Sequence, residues 1–124
     1  MAFAEEIRGL FAQFVKGFPE CSLIFVATSD GLTLWAEGEG KEEELSAYFT
    51  NLMGEIRTAL EKLGLGAPRS ALLVSEKGFY NILPITPSLT LGVIFHTKAD
   101  YSSLFPALRE MMGKIRELAG EAGL

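Results

Sequence analysis

The chain has 124 residues, of which 48% are hydrophobic and 22% charged, the balance of one ordinary globular domain spanning residues 1–124. Its net charge of −5, with eleven basic residues scattered rather than gathered into a stripe, argues against nucleic acid and anionic membrane as principal ligands. No apolar run nears the roughly 20 residues that cross a bilayer, Glu5 and Glu6 stand where a secretory signal needs basic residues, and the single Cys21 cannot form an internal disulfide, so the expected setting is a reducing cytoplasm.

Residues 3–18 place Phe3, Ile7, Leu10, Phe11, Phe14 and Phe18 on one face, the pattern of an amphipathic helix that Pro19 ends. Residues 22–28 then read as a strand. Its uninterrupted run Leu23-Ile24-Phe25-Val26-Ala27 has no polar alternation, so the strand should be central, with helices on both sides of its sheet. Ser29-Asp30-Gly31 supplies a hairpin turn, because glycine accepts the positive φ that tight turns need. The return strand, residues 32–37, is shorter and more polar, as suits an edge.

A loop at residues 38–40 leads into a second helix whose first turn holds Glu42, Glu43 and Glu44, carboxylates that complement the positive end of the helix dipole. This helix should run to residue 62 or 63, with Gly64 as its stop and Pro68 beyond. Three strands follow, at 70–75, 79–85 and 89–97, joined by turns at 76–78 and 86–88 short enough to make an antiparallel meander. The last helix starts between residues 100 and 103 and takes Pro106 in its first turn. It buries Leu104, Leu108, Met111, Ile115 and Leu118, while Arg109, Glu110, Lys114, Arg116 and Glu117 face water.

With the most apolar strand central, the order helix-strand-strand-helix-strand-strand-strand-helix predicts an α/β (α+β) fold. One five-stranded antiparallel sheet, of order 2-1-5-4-3, should lie between one helix on one face and two on the other. Its edges are then the second and third strands. The third, residues 70–75, carries no charge at all, and an uncharged edge invites pairing with another chain.

The second helix holds the sharpest anomaly, a run of ten uncharged residues at 45–54. Leu45, Phe49, Leu52, Ile56, Leu60 and Leu63 form its apolar stripe. The opposite face carries Ala47, Thr50, Asn51, Gly54 and Thr58, small neutral residues that suit the close approach of another surface better than they suit solvent. Three helices on two sheet faces leave this one unaccompanied, which favours an intermolecular contact.

Catalytic chemistry is sparse. His96 stands four residues before Asp100, a base and its orienting group in principle, but no nucleophile accompanies them. Cys21 opens the central strand, where a free cysteine is ordinarily a small buried hydrophobe. Glu37, Glu39, Glu42, Glu43 and Glu44 lack the ligand spacing of a calcium loop. Gly38-Glu39-Gly40 and Gly64-Leu65-Gly66 lack the remaining residues of a phosphate cradle. Arg57 and Arg69 flank the suspected contact surface, where an arginine could act in trans on a GTPase, although an ion pair with Glu61 accounts for Arg57 more economically. The expectation is a protein that is not an enzyme, with no metal and no cofactor.

The element order, the Asp30-Gly31-Leu32 hairpin after Leu23-Ile24-Phe25-Val26, the small residues of the second helix, and Leu91-Gly92-Val93-Ile94-Phe95 together resemble the Roadblock / dynein light-chain family. The resemblance covers almost the whole chain and is strongest to prokaryotic single-domain members, including those of gliding-motility systems. It implies a homodimer in which the second helix and third strand of each copy meet, joining two sheets into one. It also implies a platform for a small Ras-like GTPase, regulated through its switch regions without a donated catalytic residue. On this sequence the implied dimer interface is Ala71, Leu72, Leu73 and Val74 with Tyr48 and Thr50, and the implied partner platform is Ala47, Asn51, Gly54 and Thr58 with Arg57. Two other readings stand beside it. One is a structural adaptor or light-chain-like subunit with no effect on nucleotide turnover; the other is a ligand-sensing domain with a pocket between sheet and helices.

Overall fold

Helix α1 (Ala2–Gly17) forms where apolar residues recur at helical spacing, and it buries Ile7, Phe11 and Phe14. The computed structural model describes residues 2–38, 42–96 and 101–123, without the side chains of Ala2, Glu42, Glu43, Ser46, Ala47, Thr50 and Tyr101. Strand β1 (Cys21–Thr28) buries Leu23 to Ala27 without a break, and β2 (Thr33–Gly38) returns beside it. Between them Gly31 takes φ 93°, and the Thr28 hydroxyl both donates to the Asp30 carboxylate and accepts the Leu32 N–H. That hydroxyl is also the main reason the Asp30 carboxyl lies below its ordinary range, which makes Asp30 a turn residue.

Helix α2 (Glu42–Lys62) ends as its glycine demands. Gly64 sits at φ 71°, its N–H bonding the Glu61 carbonyl at 3.0 Å while the Leu65 N–H reaches back to the Leu60 carbonyl at 2.9 Å. Strands β3 (Ala71–Ser75), β4 (Gly78–Thr86) and β5 (Leu89–Phe95) complete the sheet, and α3 (Tyr101–Glu121) closes the fold. The sheet order is β2-β1-β5-β4-β3, antiparallel throughout, as predicted. Thr97, expected at the end of β5, and Asp100, expected near the start of α3, lie outside the described residues.

Two cores form, one on each face of the sheet. Helices α1 and α3 share the first with Ile24, Val26, Leu91 and Val93, and α2 alone covers the second, where Phe49 and Met53 meet Leu23, Phe25, Ala27 and Ile82. Three details of the sequence reading are corrected. Leu63 is exposed rather than part of the apolar stripe, because the turn at Gly64 carries it off the buried face, and Met53 takes a central place instead. Pro106 is the sixth residue of α3 and lies inside the helix, so it removes a backbone donor that a first-turn proline would not. On the buried face of α3, Ala119 is wholly buried and Leu118 only half so.

Under α2 the Phe25 ring lies across Gly92 of β5, its register partner, and meets Phe49 edge-on at 6.2 Å. A Cβ on Gly92 would fall 2.2 Å from the ring. Gly92→Ala is therefore expected to cost about 1–3 kcal/mol by overpacking, read as a lowered midpoint in denaturant unfolding. An unchanged midpoint would show that the ring shifts at no cost.

Candidate functional site

Strand β3 is held on one side only, by β4, in continuous register from Ala71 opposite Ile82 to Ser75 opposite Gly78. Side chains alternate along it, so Ala71 and Leu73 face the α2 side with Ile82 and Tyr80, while Leu72 and Val74 face the other side with Asn81 and Phe79. Leu72 is 42% exposed, Leu73 44% and Val74 64%. The helices leave them partly open, with α1 packed towards β2, α3 against β4, and α2 against β2. Natural edges are guarded by charge, proline or a bulge, and residues 71–75 have none of these.

Helix α2 covers the sheet face to which Ala71 belongs. Its inner face is buried through Phe49 and Met53, with Leu45, Leu52, Ile56 and Leu60 half-buried. Asn51, Gly54, Arg57 and Thr58 are exposed on the outside, and Tyr48 is 66% exposed. A Cβ placed on Gly54 meets nothing within 4 Å. Ala47 and Thr50 belong to the same helix, but their side chains lie outside the described ones. The ion pair expected between Arg57 and Glu61 does not form among the described residues, where the i,i+4 pair observed is Glu110 with Lys114 at 3.5 Å.

This strand order, with α2 alone on one face and α1 with α3 on the other, recurs in solved structures. The chain superposes on an MglB in a tetrameric arrangement with a TM-score of 0.87, at 12% identity over 98% of this chain and 93% of that one. The gliding protein MglB from Thermus thermophilus matches with a TM-score of 0.86, at 11% identity over 98% and 93%. A Roadblock/LC7 domain from Streptomyces avermitilis matches with a TM-score of 0.76, at 17% identity over 86% and 91%. The chain has the Roadblock/LC7 fold. No family model matches the sequence, and no curated protein matches it either.

On this Roadblock/LC7 scaffold the catalytic candidates stay apart. His96 is exposed with its Nδ1 2.5 Å from the Ser22 hydroxyl, which itself donates to the Ile94 carbonyl at 3.0 Å, so the ring nitrogen serves as the donor to Ser22. Its proposed companion Asp100 lies outside the described residues. Of the acids considered as a cation site, Glu39 and the side chains of Glu42 and Glu43 lie outside as well, and no group of three metal-ligating side chains occurs among the described residues.

Cys21 is buried, and burial pushes its thiol from 9.0 up to about 12. The folded thiol thus keeps its proton over a range where the unfolded one releases it. Its contribution to stability is whole below about pH 9 and declines as pH rises towards 12. We expect iodoacetamide at pH 8 to label the native protein at least about 100-fold more slowly than the denatured one. Similar rates in the two states would mean that the thiol is not held in the core.

Tyr80 was not singled out by its sequence, where an aromatic in a strand reads as ordinary core. Its hydroxyl is buried without a hydrogen-bond partner among the described residues, and burial raises its pKa. An unsatisfied buried hydroxyl is destabilising by about 1–3 kcal/mol, so Tyr80→Phe is expected to leave stability unchanged or raise it by about 1 kcal/mol. A lower melting temperature would reveal a partner for the hydroxyl in solution.

Proposed function

We propose that this chain is a homodimeric, non-enzymatic regulator of a small Ras-like GTPase, pairing through β3 and presenting the outer face of α2 to its partner. The observation that carries the proposal is β3 itself, an uncharged edge strand exposed on both faces, in a fold whose second helix presents the small neutral residues Asn51, Gly54 and Thr58 on its outside. Edge-to-edge pairing of two copies would satisfy the free backbone groups and extend two five-stranded sheets into one. Ala71, Leu72, Leu73 and Val74 would form the seam with Tyr48 and Thr50. Ala47, Asn51, Gly54, Arg57 and Thr58 would form the platform.

The likeness to MglB supports this reading through the tetrameric arrangement in which one MglB is found and the gliding role named for another. A cytoplasmic place in gliding motility or cell polarity fits it, and no helix among the described residues is long and apolar enough to cross a membrane. The deciding experiment measures GTP hydrolysis by a Ras-like GTPase from the same genome with and without this protein. An altered rate is expected. Binding with an unaltered rate would assign the chain to the structural adaptors instead.

A further inference from the structure

A groove of about 410 Å³ opens between α3 and the β3 side of the sheet, on the face away from α2. It exists because α3 packs on β4 and stops short of the edge strand. Its walls are apolar, formed by Leu72, Leu83, Phe105, Leu108 and Met112. Size and lining match those of small-molecule sites, which are mostly apolar with a few polar groups.

Three of its lining residues, Ser70, Asn81 and Arg109, are polar. Asn81 sits on β4 between Leu72 and Val93 in register and is only 4% exposed, yet its side-chain amide makes no hydrogen bond among the described residues. The amide is not sealed in the core but borders the groove, where a bound molecule can reach it. Arg109 of α3 lines the same groove from its exposed side, with no ion-pair partner among the described residues. No carboxylate is found among the described residues that line the groove, where Arg109 carries a positive charge in a protein whose net charge is −5.

We propose that the groove binds a small amphipathic carboxylate. The apolar body lies on Leu72, Leu83 and Phe105, the carboxylate is held by the planar guanidinium of Arg109, and the Asn81 amide supplies a hydrogen bond from the floor. One guanidinium in an otherwise uncharged lining suits a single negative charge, whereas a phosphate monoester carries nearly two and needs more donors. The groove lies on the opposite face of the sheet from the α2 platform, and it shares Leu72 with the proposed β3 seam.

The test titrates the 15N-labelled full chain with octanoate, using octan-1-ol as the uncharged analogue and octyl phosphate as the doubly charged one. A saturable displacement of the Asn81 side-chain amide resonances is expected. Octanoate should bind about tenfold or more tightly than octanol, as a charge-assisted pair requires. Arg109→Gln, at an exposed position, should remove that preference without lowering the melting temperature, and Asn81→Leu should weaken octanoate while keeping the fold. Arg116→Gln, at a residue whose Nε instead donates to the Ile85 carbonyl, should leave octanoate binding unchanged. Absence of a saturable shift, equal affinity for octanol and octanoate, or preference for octyl phosphate would each overturn the proposal. So would Asn81 shifts that follow protein concentration without octanoate, which would give the groove to a second copy. Light scattering on the same samples keeps these outcomes distinct from a failure of the dimer itself.

Discussion

Leu73→Lys is expected to turn the proposed dimer into a monomer. In the separate chain Leu73 is already 44% exposed, so a lysine there can lay its stem along the strand and keep its ammonium in water. The monomer should lose little beyond the contact with its register partner Tyr80. Pairing two β3 edges changes the environment entirely. The two-fold axis brings in one ammonium from each copy, and each loses water without gaining an anion, since residues 71–75 carry none. We expect the dimer dissociation constant to rise about 100-fold or more, equivalent to about 2.7 kcal/mol. Light scattering across a dilution series reads the effect, with circular dichroism confirming a native monomer. An unchanged dimer would refute pairing through β3.

Gly54→Arg is expected to abolish partner binding while leaving the fold intact or slightly more stable. The space beside Gly54 is open, and a mid-helix glycine costs about 1 kcal/mol relative to a good helix former. Thermal unfolding should therefore show an equal or higher midpoint. The same side chain would fill the open space beside Gly54 and hold a flat partner surface several ångströms away. Affinity for the GTPase, measured by titration calorimetry, should fall about 100-fold or more. Retained binding would remove the α2 face from the partner site. Because Leu73→Lys acts on the edge and Gly54→Arg on the helix, the pair also tells which surface meets the sister subunit and which the partner.

Much of this was legible in the residues. The unbroken Leu23 to Ala27 run announced a strand covered on both faces, Asp30-Gly31 the hairpin, and Gly64 the end of α2, because each rests on local backbone chemistry. What went unseen depends on direction. Leu52 and Met53 lie three and four residues after Phe49, and helical spacing admits either to the buried face; the sheet beneath selects Met53. Arg57 and Glu61 have the spacing of an ion pair, but at the surface such a pair gains less than about 1 kcal/mol and loses side-chain freedom. Tyr80 and Asn81 looked ordinary in a strand, and only packing showed that the Tyr80 hydroxyl is buried without a partner among the described residues and that Asn81 borders a groove.

By itself the sequence determined the order of the elements, the central place of β1, and the absence of charge on residues 45–54 and 70–75. Those follow from periodicity, turn chemistry and composition, which act over a few residues at a time. Only the tertiary structure decided that β3 is bare on both faces and that a groove with Asn81 and Arg109 lies beside it. The reason is one of width. Five strands about 4.8 Å apart span roughly 19 Å between their outer axes, and a single helix such as α2 covers about 10 Å of that. On the opposite face α1 and α3 settle towards β2 and β4, so the last strand is left uncovered there too.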